Sequence, residues 1–220
     1  RATLESLEAS PGVGAVVLTG TPPAFSAGAN LDELETATRD SLRQIYDGFL
    51  AVARFPLPTI AAVNGAAVGA GLNLALACDV RIAARSARFE SRFLDLALHP
   101  GGGHTWMMNR LMGPQGAAAV VLCGESLGGE EATQRGMAWA CVDDDRLMEE
   151  AIRLAARATV APRELVQLLK GALRVAYDSS RHVEAVRHEL KWQSWSTEQP
   201  EFRERVAVLK RRIANQRGKA

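Results

Sequence analysis

Residues 58–83 read PTIAAVNGAAVGAGLNLALACDVRIA. Their order decides the fold class. Thr59-Ile60-Ala61-Ala62-Val63 is apolar without alternation, as in a strand covered on both faces. Asn64-Gly65 is a tight-turn pair. Small residues follow, and the spacing predicts a helix over 69–78. Val80-Arg81-Ile82-Ala83 is the next strand. Strand, helix and strand with short connections point to an α/β fold with parallel pairing. The 59–78 stretch approaches the length of a membrane span. It contains Asn64, Asn73 and several glycines, however, and a lipid-facing helix would leave both amides unsatisfied. It reads as a buried strand, a turn and a buried helix, with no membrane partner.

Working outward, a first helix is expected to end near Glu8-Ala9, and Ala15-Val16-Val17-Leu18 is a short strand. Thr21-Pro22-Pro23 forces a turn, and Phe25 to Asn30 reads as small-residue loop. Leu31 opens a polar helical stretch. Residues 46–55 have helical spacing, with Ile45, Phe49, Val52 and Phe55 on one side, until Pro56 and Pro58. Phe89 begins a short strand, and residues 99–104 form a glycine-rich loop. Helices are expected at 106–112, 115–123 and 130–137, and a strand at 139–142. From Leu147 onward the pattern is helical, at 147–159, 162–177, 180–195 and 200–215. The expected division lies near Asp145, with an α/β core over 1–145 and a helical region over 146–220.

The chain has 220 residues, 47% hydrophobic and 23% charged, which excludes a disordered or collagen-like protein. Lys plus Arg is 26 against 25 Asp plus Glu, so the basic excess of a nucleic-acid binder is missing. Cys78, Cys123 and Cys141 form no CxxC pair and read as buried thiols of a reducing compartment, not as a disulfide framework or a metal site. The start carries Glu5 and Glu8 and no apolar leader run, so a cytoplasmic location is expected.

Two glycine-rich segments carry the chemistry. One is Phe25-Ser26-Ala27-Gly28-Ala29-Asn30-Leu31, and the other runs from Asn64 to Asn73. Each leads from a strand into a helix. Small side chains let a ligand approach the backbone. A helix N-terminus offers unpaired N–H groups and partial positive charge. Two such N–H groups from different loops can converge on one oxygen, which suits a thioester carbonyl whose α-carbon becomes carbanionic. A dinucleotide loop would need a G-x-G-x-x-G or G-K-[ST] pattern, and neither is present. Tight packing of a buried helix on a strand explains either segment taken singly.

Together the segments resemble the enoyl-CoA hydratase/isomerase (crotonase) family. Residues 24–31, AFSAGANL, are similar to its AFSAGADL. Pro58 to Gly65, followed by Gly69-Ala70-Gly71, resembles PVIAAVNGxAxGGG. Cys78 to Ala83 resembles CDxRIA, with Ala87-Arg88-Phe89 as the AxF after it. Gly124-Glu125, Glu130-Glu131-Ala132 and Gly136 complete the likeness. The resemblance implies a spiral of ββα turns with a C-terminal helical region that assembles as a homotrimer or homohexamer. It implies an acyl-CoA thioester as substrate, coenzyme A arriving only as part of it, and no metal or other cofactor. It assigns the oxyanion-hole N–H groups to Ala29 and Ala70. Ala27, Gly28, Asn30 and Leu31 would line the path of the CoA, with Gly69, Phe93, Gly101 and Gly102 about the acyl group. One of the C-terminal cations Lys191, Lys210, Arg211 and Arg212 would meet CoA phosphates. The first matched strand, Val16 to Gly20, comes later in family members, so Arg1 is expected not to be the true start, with N-terminal strands missing.

The pattern breaks where the family's hydratases keep two glutamates. Those positions hold Asn73 and Phe93, and neither side chain can take a proton near neutral pH. The double-glutamate hydration mechanism cannot run with them. Asp95 lies two residues past Phe93 and would share its side in an extended segment. His99 and His104 flank the loop and could serve as bases. Asn73 could simply hold a water or a loop carbonyl, or it could still polarise a water or bind an acyl hydroxyl. Glu90 reads as a surface charge, as do His182 and His188, while Trp192 and Trp195 read as packing or trimer contacts. The expected activity is double-bond isomerisation or chemistry on an unusual acyl group through a thioester enolate, with Asp95 or His99 as the acid/base group in place of the glutamates. The alternative is an acyl-CoA-binding protein without turnover. A serine peptidase on the same topology would need a G-x-S-x-G elbow, which is absent.

Overall fold

A computed structural model of the chain describes residues 1–217. After helix α1 (Ala2–Ala9), strands and helices alternate as β1 (Val16–Leu18), β2 (Ala24–Ser26), α2 (Leu31–Glu35), α3 (Arg39–Arg54), β3 (Thr59–Val63), β4 (Ala66–Val68) and α4 (Ala70–Ala77). Then come β5 (Val80–Ala84), β6 (Arg88–Glu90), α5 (His104–Val121), β7 (Leu127–Gly128), α6 (Gly129–Gln134), β8 (Ala140–Val142) and α7 (Leu147–Ala158). Each turn of chain places one strand in each of two sheets. The first sheet has the order β1-β3-β5-β8, all parallel. In the second, β2-β4-β6-β7, only the last pair is antiparallel. This is the expected α/β spiral of ββα turns.

The strand β3 is buried along its whole length, which is why it reads as an unbroken apolar run. The motif residues at its ends are clamps. Asp79 accepts from the Thr59 N–H at 2.8 Å and from its hydroxyl at 3.0 Å, joining the end of α4 to the start of β3. Asn64 accepts from the Gly20 N–H at 3.0 Å and donates to the Ala24 carbonyl at 3.4 Å, joining two inter-sheet turns. Buried Arg81 donates to the carbonyls of Cys78 and Met137, both at 2.7 Å. Burial lowers its pKa from the guanidinium value.

Several expectations change. The strand β2 falls partly in a segment read as loop and β4 was not expected, because both are three-residue strands set among small residues, whereas the short strand expected at Phe89 is β6. The two helices expected at 106–112 and 115–123 are present, as the two halves of α5 on either side of non-helical Gly113, where φ is 69°. Of the cysteines only Cys78 is buried, while Cys123 is exposed and Cys141 half-buried. Glu90 is not a surface charge but is 8% exposed. It sits between Arg92 at 2.6 Å and Arg88 at 3.5 Å and accepts from the Ser126 hydroxyl. The chain divides into compact units after Val160, not near Asp145. The physical reason is α7, whose Leu147 and Ala151 are buried in the same core as Ile60 and Ile82.

The second unit, from Ala161 onward, contains α8 (Arg163–Asp178), α9 (His182–Glu198) and α10 (Pro200–Arg217). Leu169, Leu173 and Tyr177 of α8 and Val183, Val186 and Leu190 of α9 are exposed apolar residues. Trp192 donates its indole N–H to His188 at 3.2 Å, and Lys191 lies over its ring. Among the described residues no helix is long and apolar enough to cross a membrane.

Candidate active site

The two glycine-rich segments meet. A Cβ at Gly28 would lie 2.6 Å from the Val68 carbonyl oxygen and 3.6 Å from the Ala70 nitrogen. Gly69 brings the second segment to this point with φ of 52°, a left-handed value that favours glycine. Ala70 is the first residue of α4, so its N–H has no intrahelical acceptor. Among the described residues neither the Ala29 nor the Ala70 N–H has an acceptor in the protein. The helix sits directly on β2: a Cβ at Gly71 would lie 2.2 Å from the Ser26 carbonyl oxygen.

Ala29 and Ala70 border one cavity of about 450 Å³. Ala27, Gly28, Leu31, Gly69, Asn73, Phe93, Asp95, His99 and Gly101 line it too. Two candidates do not. Asn30 caps α2, its side chain accepting from the Asp32 N–H at 3.0 Å. Gly102 packs instead against Phe49 and the Asn73 amide. The helix α3 supplies an apolar wall of Leu42, Ile45, Tyr46 and Phe49. Its start is held by Thr38 and Ser41, which cap each other's backbone N–H groups.

Asn73 is 2% exposed, and both ends of its amide are hydrogen-bonded. Its amide N–H donates to the Gly101 carbonyl at 3.0 Å, and its oxygen lies 2.7 Å from His104 Nδ1. His104 is not a loop residue; it opens α5 and is 1% exposed. Its Nε2 lies 3.0 Å from the Ser91 hydroxyl, and Ser91 lines the cavity. Burial pushes the His104 pKa from 6.5 down to about 4, so the ring is neutral at neutral pH. Ser91 was not singled out by sequence. Its partner His104 lies thirteen residues later, and Asn73 thirty-one residues back from His104, so no local spacing could have pointed to it.

The segment after β6 is not extended. Arg92 and Ala97 both have φ of 51°, and a 3-10 turn over Leu94–Leu96 lies between them. Asp95 therefore does not share the side of Phe93 by strand alternation, the basis on which it was expected. Phe93 turns its ring edge-on to His104, with centroids 5.0 Å apart. Asp95 and His99 are exposed at the cavity, and His99 Nδ1 donates to the Pro100 carbonyl at 2.7 Å. No cluster of three or more His, Cys, Asp or Glu able to hold a metal occurs among the described residues.

The enoyl-CoA hydratase/isomerase family description matches residues 1–214. The chain belongs to that family. A probable enoyl-CoA hydratase from Mycobacterium tuberculosis is 47% identical over 96% of this chain and 86% of the relative. A 1,2-epoxyphenylacetyl-CoA isomerase from Escherichia coli is 35% identical, covering 79% of the chain and 69% of the relative. Among solved structures, an enoyl-CoA hydratase subunit from Geobacillus kaustophilus superposes with a TM-score of 0.88. It is 31% identical and covers 96% of this chain and 82% of its own. The relatives of this family member thus carry both hydratase and isomerase names, and the solved hydratase subunit shares its fold.

Proposed function

We propose that the cavity binds an acyl-CoA thioester and stabilises its enolate. The observation that carries this reading is the pair of N–H groups at Ala29 and Ala70, without an acceptor among the described residues and set on one apolar cavity. A thioester carbonyl placed there accepts both N–H groups. As the α-carbon loses a proton, negative charge grows on that oxygen and both bonds strengthen. The partial positive charge at the start of α4 adds to the effect. Coenzyme A comes only as part of the substrate, and the residues on the cavity call for no metal or redox group. The wall of Leu42, Ile45, Tyr46 and Phe49 takes the acyl chain. Isomerisation suits the site better than hydration, because hydration needs a carboxylate to activate water and Asn73 and Phe93 stand where the family pattern places them. The exposed apolar residues of α8 and α9 support assembly of copies of the chain into a homotrimer or homohexamer.

The test is calorimetry with a panel of acyl-CoA thioesters, paired with turnover of each. Saturable binding with isomerisation of a β,γ-enoyl thioester is the expected result. Hydration of crotonyl-CoA at a rate usual for family hydratases would overturn the argument from Asn73 and Phe93. Binding without turnover across the panel would make the protein an acyl-CoA binder.

A further inference from the structure

The cavity has a hydrogen-bonded chain of three side chains, Ser91, His104 and Asn73, whose proton positions follow from their partners. The Asn73 amide N–H is committed to the Gly101 carbonyl, so its oxygen faces His104. A carbonyl oxygen can only accept, so His104 Nδ1 carries the hydrogen. A neutral ring then has a bare lone pair on Nε2. The Ser91 hydroxyl, 3.0 Å away, must donate to it. Among the described residues the hydroxyl oxygen has no other hydrogen-bond partner. This is the geometry of a hydroxyl activated by a base that a third group holds in one tautomer.

Its setting adds a second point. Asn73 and Ala70 are three residues apart on α4, so they lie on neighbouring positions of one helix face. The helix that offers an N–H to a thioester oxygen thus also anchors the base. Phe93 covers the His104 ring and lines the cavity beside Ser91.

We propose that Ser91, relayed through His104 and oriented by Asn73, takes the α-proton of the bound thioester and returns it. This rests on the enolate reading above. In the forward step the α-carbon–hydrogen bond breaks and its electron pair becomes the enolate. The proton goes to Ser91 Oγ as the serine's own proton moves to His104 Nε2. In the return step His104 gives the proton back through Ser91, to the α- or the γ-carbon. No electron is lost and no co-reactant is consumed. The imidazolium exists only while the enolate exists, so the cavity's net charge does not change. Ser91 is the catalytic residue, and His104 and Asn73 are positioning residues that act through it.

The test follows exchange of the α-hydrogens of vinylacetyl-CoA and butyryl-CoA in deuterium oxide, by NMR at saturating thioester, with affinity read by calorimetry. The wild-type chain exchanges. Ser91→Ala and His104→Gln each lower the exchange rate at saturation by about a hundredfold or more, the scale of general acid–base catalysis, with affinity changed less than about tenfold. Ser91→Thr, which keeps a hydroxyl, restores most of the rate, and the loss of rate in Ser91→Ala without a matching loss of affinity separates proton transfer from a purely structural hydroxyl bond to α5. Exchange by Ser91→Ala within about threefold of wild type would overturn the relay and leave the enolate reading standing. Recovery of an acyl group covalently held on Ser91 would also overturn it, in favour of nucleophilic attack. A wild-type chain that binds both thioesters and exchanges neither would overturn the enolate reading, and the relay with it.

Discussion

The cavity is built in two different ways on its two functional sides. The N–H groups of Ala29 and Ala70 come from the backbone, and glycines next to them set their direction. Ser91, His104 and Asn73 are side chains brought together from three elements distant in sequence. A backbone donor needs only that the chain turn correctly, so short glycine-rich motifs carry it. A side-chain relay needs tertiary packing to hold each rotamer, and its residues can change while the turn stays. The same α4 serves both sides, so the donor side can persist while the groups that move protons are replaced.

The largest expected effect tests the backbone side. Ala70 is the first residue of α4, a position that tolerates proline because its N–H has no helical partner. Ala70→Pro deletes that N–H with little change to the helix. Turnover should fall by about a hundredfold to a thousandfold, roughly 3–4 kcal/mol in the transition state. Urea unfolding should shift little. A rate within about threefold of wild type would mean that the N–H at Ala70 does not meet the developing oxyanion.

The next effect tests the side-chain side through stability. His104 titrates near 4 in the folded chain, against 6.5 for a free imidazole. Between those values the unfolded chain binds the proton better, so stability rises with pH. It is full above about pH 6.5 and falls as pH drops towards 4, by roughly 3 kcal/mol at the low end of that window. Urea titrations at several pH values should show this slope, and His104→Gln should flatten it. An unchanged slope in the variant would place the proton uptake elsewhere and break the picture of a neutral, buried base.

What could be read from sequence follows the same division. Residues 59–83 give the strand, turn, helix and strand in order, because full burial leaves an unbroken apolar run in β3. The Ala29 and Ala70 loops were legible from their glycines and their family likeness. The strands β2 and β4 were not, since three small residues carry no periodicity. His104 was named as a possible base beside the glycine-rich loop, without its partners, and Ser91 not at all. Their roles rest on contacts that sequence spacing does not record. Glu90 was misread for the same reason, as its burial depends on the two flanking arginines and Ser126.

A smaller effect concerns the packing that joins the two sides. Gly71→Ala places a methyl against backbone and side chain of Ser26 at once, with the carbonyl oxygen at 2.2 Å. Neither contact is the far end of a flexible chain, so α4 must move off β2. Overpacking of this kind costs about 1–3 kcal/mol, read as a lowered urea midpoint. Because α4 carries both Ala70 and Asn73, turnover should fall alongside stability. Lost stability with full turnover would show that the donors and the relay do not share α4 as a common support.

The smallest expected effect is at the rim. Asp95→Asn and His99→Ala should each leave exchange within about twofold of wild type. Both side chains are exposed, where the attraction or repulsion between charges is weak in water and screened by salt. The 3-10 turn over Leu94–Leu96 also removes the alternation that would have set Asp95 beside Phe93. His99 is held by the adjacent Pro100 carbonyl and not by a group that could orient it towards substrate. A buried relay with each proton fixed by a partner transfers without rearranging solvent, whereas an exposed carboxylate must shed water first. A loss of about a hundredfold in Asp95→Asn, with Ser91→Ala unaffected, would move the proton transfer to the rim and reverse the assignment.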